Sequence, residues 1–209
     1  MLLALEKRVS LSSARTMRRY RAPQSRVVAG VVIVAALTVF QGRNSLYFHN
    51  GTGGRDWKIG QPQVNLFNAH QARSLPELQS FALELVNRDR RLNNLPLLAA
   101  DSLVSRTAQR HSEDMAKRDF YGHDNPEGQT PTDRYQALGG RGGVGENIVI
   151  LPSSPRFSLS YGLVEQFQNS WMYSEGHRRN LLTPDYTKFG FGIAANPYTG
   201  KVYAVQNFQ

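Results

Sequence analysis

Three stretches with helical spacing come before a single pair of alternating stretches, and this order narrows the fold more than any other feature of the chain. Ser74-Leu-Pro-Glu77 reads as a capping box with proline in the first turn. Leu78, Ala82, Leu85 and Val86 then mark one apolar face, so a helix is expected to about Asn93. Asp101 caps a second helix with the stripe Leu103, Thr107, Ala108, His111 and Met115. A glycine- and proline-rich passage runs from Gly122 to Gly145, and a third helix carries Leu163, Val164, Phe167 and Trp171. Phe189, Phe191 and Ile193, a turn at Asn196-Pro-Tyr-Thr-Gly200, and Val202 to Phe208 form a β-hairpin. Helices followed by strands, without βαβ alternation, give an α+β fold.

The 209 residues carry a net charge of +9, which would suggest nucleic acid if it were spread evenly. It is not. Residues 1–60 hold ten Lys and Arg against two acids, and residues 61–209 hold fifteen against fourteen. The folded part is nearly neutral, so no nucleic-acid partner is expected. The absence of cysteine excludes disulfides, thiolate nucleophiles and Cys-ligated zinc.

Lys7, Arg8, Arg15, Arg18, Arg19, Arg21 and Arg26 precede an uncharged run from Val27 to Phe40. As a helix those residues span about 21 Å, short of a hydrocarbon core of about 30 Å. Residues 1–26 are therefore expected to be a basic cytoplasmic head. Residues 27–40 are either a signal-peptide core or an uncleaved membrane anchor. Residues 41–73, polar and without a sustained period, read as a linker, and 74–209 as an exported domain.

Three blocks gather chemistry: Phe120-Tyr-Gly-His-Asp-Asn-Pro, Gly145-Glu-Asn-Ile, and Trp171-Met-Tyr-Ser-Glu-Gly-His-Arg-Arg-Asn-Leu. They deliver His123, Glu146, Ser174 and His177, and each block contains a glycine where the backbone can turn tightly. Two imidazoles and a carboxylate with an open position suit a metal such as Zn²⁺. The same three residues also suit a buried polar network that only holds shape. Ser174, His177 and Glu146 can be read as nucleophile, base and orienter, but no nucleophile elbow accompanies them. Ser174 is also expected to end the third helix, with Gly176 as its left-handed exit.

Asn87-Arg-Asp-Arg, Ala108-Gln-Arg-His-Ser-Glu-Asp-Met, Gly122-His-Asp-Asn-Pro, Gly145-Glu-Asn-Ile, Ser174-Glu-Gly-His-Arg-Arg-Asn-Leu and Gln206-Asn-Phe occur in that order. With them, residues from about 78 to 208 resemble the CAP superfamily (SCP, antigen-5 and pathogenesis-related-1 domains) in its shorter bacterial form. The resemblance implies an α–β–α sandwich with a small antiparallel sheet between helices. It also implies a cavity of two histidines and two acids: His123 and His177, with Glu146 as the first acid. The second acid falls on Ser174, and Glu175 is turned about 100° away on a helix. Some members bind zinc there, and others bind sterols or lipids.

The function expected is an exported protein whose His/Glu cavity binds a metal ion or small ligand, with a hydrolase of peptides or envelope polymers as the alternative. A lipid or a cell-envelope component is the expected partner; the resemblance to lipid-binding members suggests a groove lined by Phe157, Phe167 and Trp171, although an aromatic stripe at helical spacing is usually core. His111, on the apolar stripe, reads as a core histidine. His49 and His70 fall in the linker without a role. Glu84, Glu165 and the Arg178-Arg179 pair read as solvated or salt-bridged surface.

Overall fold

The computed structural model describes residues 47–49, 57–65, 67–152 and 158–209. The basic head, the apolar run 27–40 and Phe157 lie outside the described residues. No helix among the described residues is long and apolar enough to cross a membrane.

Helix α1 (Leu75–Leu92) starts as its capping box requires: the Ser74 N–H and Oγ both donate to Glu77 Oε2, at 2.8 and 2.7 Å. Helix α2 (Ser102–Arg118) is capped by Asp101, whose Oδ1 accepts from Leu103 N and Val104 N at 2.9 Å. Between them lies β3 (Ala99–Ala100). The passage from Gly122 to Gly145 holds a short helix, α3 (Pro131–Ala137), that its composition concealed. Then come β4 (Gly145–Leu151), α4 (Tyr161–Tyr173), α5 (Glu175–Leu181), β5 (Lys188–Ala195) and β6 (Val202–Phe208). The last two form the expected hairpin.

The sheet order is β3-β5-β6-β4. Both long pairings are antiparallel, but β3 runs parallel to β5, so the sheet is mixed. The two-residue β3 is the lead-in to α2: Asp101 N–H donates to Phe189 O at 3.0 Å and the helix cap follows at once.

Strand alternation sorts side chains onto two faces. Phe189, Phe191, Ile193, Val202, Ala204 and Phe208 pack with Leu78, Leu85 and Val86 of α1 and Leu163, Phe167 and Trp171 of α4. Burying each of the larger aliphatic and aromatic side chains among them contributes about 2 kcal/mol. On the other face, Ile148, Tyr203 and Val205 meet Ala108, Met115 and Ala116 of α2. Here Gly190 and Gly192 let α2 lie directly on β5, for a Cβ at either would come under 3.0 Å from the helix backbone. The result is the expected layering of helices on both sides of a sheet.

Two regions depart from the sequence reading. Trp57 and Ile59 of β2 (Trp57–Ile59) are buried in the larger core, so the packed domain reaches into the segment expected to be a linker. There β2 pairs with β1 (Tyr47–His49). Glu165 is not surface: it is buried on α4 and paired with Arg88 at 3.3 Å, because two backbone N–H groups, Gln63 and Val64, also donate to it. Glu84 is exposed, as expected.

Candidate functional site

The edge strand β4 sets the site. Glu146 and Ile148 face α2, while Asn147 faces the α4 side, since neighbouring residues alternate. The glutamate is buried and its carboxylate is met from three directions. His123 Nδ1–H donates to Oε1 at 3.0 Å from the loop after α2. Arg134 Nη2 donates to Oε2 at 2.8 Å from α3. Asn207, opposite Glu146 in the β4–β6 register, donates to Oε2 at 3.2 Å with its amide turned nitrogen-first. Arg134 also fixes the loop, its Nη1 donating to His123 O at 2.7 Å and Gln129 O at 2.8 Å.

His177 comes from the other side of the edge strand, on α5. Its Nδ1 shares a 2.8 Å hydrogen bond with Ser174 Oγ. Asn147 Nδ2 donates to His177 O at 3.2 Å, and Asn180 Nδ2 donates to Glu146 O at 3.1 Å and to Asn147 Oδ1 at 2.9 Å. Those amides tie α5 to β4. Ser174 ends α4 as expected, but it is also the first cap of α5, and Gly176 lies inside that helix rather than at a left-handed exit. None of Gly122, Gly145 and Gly176 takes positive φ, so the block glycines do not make tight left-handed turns. Gly145 serves a close approach instead, since a Cβ there would run into the Tyr186 hydroxyl.

The three histidines sit in different fields. Hydrogen bonding to Glu146 raises the pKa of the half-exposed His123, against partial burial. Burial lowers that of His177, and the charge of His123 lowers it further. His111 is a core histidine as expected, lowered by burial, and its Nε2–H donates to Gly122 O at 2.9 Å. It also reaches the site from beneath, with Nε2 3.9 Å from Glu146 Oε1.

Among the described residues, no three His, Asp or Glu side chains are grouped to hold a metal ion. Both oxygens of Glu146 accept hydrogen bonds. Of the expected set His123, Glu146 and His177, the glutamate therefore orients a histidine, and the nitrogens left without a hydrogen bond are the two Nε2 atoms. The Ser174–His177–Glu146 arrangement is not assembled either, because the carboxylate is bonded to His123. Phe167 and Trp171 are core residues, 1% exposed, and do not line a groove. Arg178 is not plain surface: its guanidinium lies 4.3 Å from the Trp57 ring centroid.

Sequence reasoning missed Arg134. The signal was present in Thr130-Pro-Thr-Asp133, a second capping box, whose Thr130 N–H donates to Asp133 Oδ2 at 2.9 Å. A helix starting there turns the next residue, Arg134, toward β4.

With this fold and cluster in view, the comparisons are direct. Residues 83–208 match the cysteine-rich secretory protein family, CAP, and the chain belongs to it. It does so without a single cysteine. It is similar to two Bacillus subtilis proteins. The uncharacterized protein YkwD is 31% identical over 120 residues, 57% of this chain and 43% of that one. The uncharacterized membrane protein YlbC is 32% identical over 124 residues, 56% of this chain and 32% of that one. The chain thus spans less than half the length of either. A crystal structure of an extracellular protein containing an SCP domain from Bacillus anthracis is 32% identical with a TM-score of 0.52, covering 64% of this chain and 40% of that one. An outer surface protein of Borrelia burgdorferi, 16% identical, shares the fold alone, with a TM-score of 0.54 over 67% of this chain and 98% of that one.

Proposed function

We infer that this is an extracytoplasmic CAP-domain protein that binds a divalent transition-metal ion, zinc foremost, through Nε2 of His123 and of His177. The observation that carries the reading is the occupation of both Nδ1 atoms, by Glu146 Oε1 and by Ser174 Oγ. A histidine held at one ring nitrogen presents the other in a fixed direction, and a carboxylate at the held nitrogen makes the ring a stronger ligand. Two imidazoles suit zinc, with water completing the shell. The extracellular description of the B. anthracis relative and the basic head before an apolar run support the location.

Such an ion would act as a Lewis acid on a bound oxygen ligand. The protein's own part is orientation: Arg134 and Asn207 hold Glu146, and Glu146 holds His123. Ser174 holds His177.

Calorimetric zinc titration tests the reading. His123→Ala or His177→Ala should weaken binding at least about tenfold, since losing only the partner that supports a ligand already costs about 10–100-fold, and the double variant should abolish it. Ser174→Ala should weaken it less than either. Wild-type protein that takes up no zinc, or histidine variants that bind as well as wild type, would sink the proposal. One observation favours a hydrolase, the 2.8 Å Ser174–His177 contact. Metal-independent cleavage of peptide or ester substrates that Ser174→Ala destroys would replace the metal reading with that one.

A further inference from the structure

The segment from Trp57 to Val64 is docked with unusual care for chain that composition marks as a linker. Six hydrogen bonds join backbone groups of the segment to side chains of α1, of its cap residue Asn93 and of α4. Lys58 N–H donates to Asn93 Oδ1 at 2.9 Å, and Asn93 Nδ2 donates to Lys58 O at 2.7 Å. Gly60 N–H donates to Asp89 Oδ1 and Arg88 Nη1 donates to Gln61 O, both at 2.9 Å. Gln63 and Val64 N–H donate to Glu165, at 2.7 and 3.1 Å. Gly60 is required there, since a Cβ would collide with the Arg88 side chain. A side chain that satisfies a specific backbone group fixes position as well as burial.

Two routes lead from this strap to the Ser174–His177 pair. The first is direct. Trp57 makes an edge contact with Tyr173 at 5.6 Å between ring centroids, and lies under the Arg178 guanidinium at 4.3 Å. Tyr173 is the residue before Ser174, and Arg178 is the residue after His177. Arg178 Nη1 also donates to Met172 O at 2.8 Å, closing the α4–α5 junction over the ring. The second route is a buried amide chain. Gln168 Nε2 donates to Asp89 Oδ2 at 2.7 Å, Gln206 Nε2 to Gln168 Oε1 at 2.9 Å, and Asn147 Nδ2 to Gln206 Oε1 at 3.3 Å. That same Asn147 nitrogen donates to His177 O.

We propose that the Trp57–Val64 strap is a working part of the site, with Trp57 a positioning residue that sets the α4–α5 junction and so the direction of His177. Contacts on both sides of the Ser174–His177 pair converge on one ring, and a mere tether has no need of that. The consequence for metal affinity rests on the zinc reading above; the effect on His177 itself does not.

The test uses the full chain with Trp57→Leu, Trp57→Phe, Arg178→Gln and the double variant Trp57→Leu/Arg178→Gln. Three quantities are read: imidazole ¹⁵N shifts of His177 and His123, hydrogen exchange of the Arg178 and Leu182 amides, and zinc affinity. Trp57→Leu should move the His177 nitrogens, speed exchange in α5, and weaken zinc about five-fold, the scale of one cation–π contact. His123 should stay in place. Trp57→Phe should restore most of the loss. The double variant should lose less than the sum of the single ones, because both members of one stack are gone. His177 shifts and α5 exchange unchanged in Trp57→Leu, or changes of equal size at His123, overturn the proposal. If Trp57→Leu does not fold, Arg178→Gln decides by the same readings from the helix side of the stack. Should wild-type protein bind no zinc, the metal reading fails while the shifts and exchange rates still judge the strap.

Discussion

Replacing Glu146 with Gln removes one charge and almost no volume, so its effect isolates what the carboxylate holds. The Glu146 side chain is 1% exposed and that of its partner Arg134 is 10% exposed. In Glu146→Gln the guanidinium loses its counter-charge in a largely dry setting. Breaking a buried pair from one side costs about 3–5 kcal/mol, and the lower end applies because glutamine still accepts one hydrogen bond. At about 3 kcal/mol, a domain of about 150 residues should lose about 6–12 °C in melting temperature. His123 supplies a second readout. Its raised pKa rests first on the hydrogen bond to Glu146, so in the variant it should fall back toward 6.5. A raised histidine adds stability below its unfolded pKa and loses it as pH rises through the folded one. The variant should lack that slope, which is small because His123 is half exposed. Thermal denaturation and an NMR titration of His123 measure both effects. Combining Glu146→Gln with Arg134→Met should cost less than the two single changes together, since one pair is being removed twice. A melting temperature within about 2 °C of wild type, together with an unmoved His123, would refute the claim that Glu146 is the hub of the cluster.

Gly192→Ala should be among the most damaging single methyl additions, because its Cβ would lie under 3.0 Å from the backbone of Ala108 and Gln109 and neither can swing aside. A loss of about 3 kcal/mol or failure to fold is expected, at or beyond the usual range for overpacking, and urea denaturation checks it; a folded protein of wild-type stability would mean that α2 does not rest on β5. The buried His111 and the half-buried His177 predict a pH response opposite to that of His123. Their pKa values lie below 6.5 in the folded state, so unfolding takes up protons and stability is lost as pH falls below about 6.5. In a His123→Ala background, where the opposing contribution is gone, urea midpoints at about pH 7.5 and about pH 5.5 should differ, the acid one being lower; equal midpoints there would show that protonating His111 and His177 costs the fold nothing.

How far the chain could be read in advance depended on how far apart the interacting residues stand. The stripes of α1, α2 and α4 and the alternation of β5 and β6 are local patterns, and they appear where the spacing places them. The Ser74 and Asp101 caps act within three residues and were equally legible. Arg134 and His123 are different, for they meet Glu146 from 12 and 23 residues away. No periodicity relates such positions. The motif blocks pointed to His123, Glu146 and His177 as chemistry, but not to which nitrogen faces which oxygen. That pairing decides whether Glu146 is a ligand or a support.

Trp57 shows the same limit from the other side. A three-residue strand has no period to detect, and its partners Tyr173 and Arg178 lie more than a hundred residues on. What the sequence could not show is that the donors and acceptors serving this strap sit on α1 and α4, helices whose apolar stripes had already accounted for them. Arg88, Asp89 and Glu165 are charged residues placed where burial would be prohibitive without partners. Arg88 and Glu165 pair with each other, Arg88 also pairs with Asp89, and the remaining hydrogen-bonding capacity is met by the backbone of the strap and by Gln168. Had those charges faced solvent, the segment could have been a free linker. Because they are buried, the strap is part of what makes their burial tolerable, and removing it would leave each of the three with fewer hydrogen-bond partners.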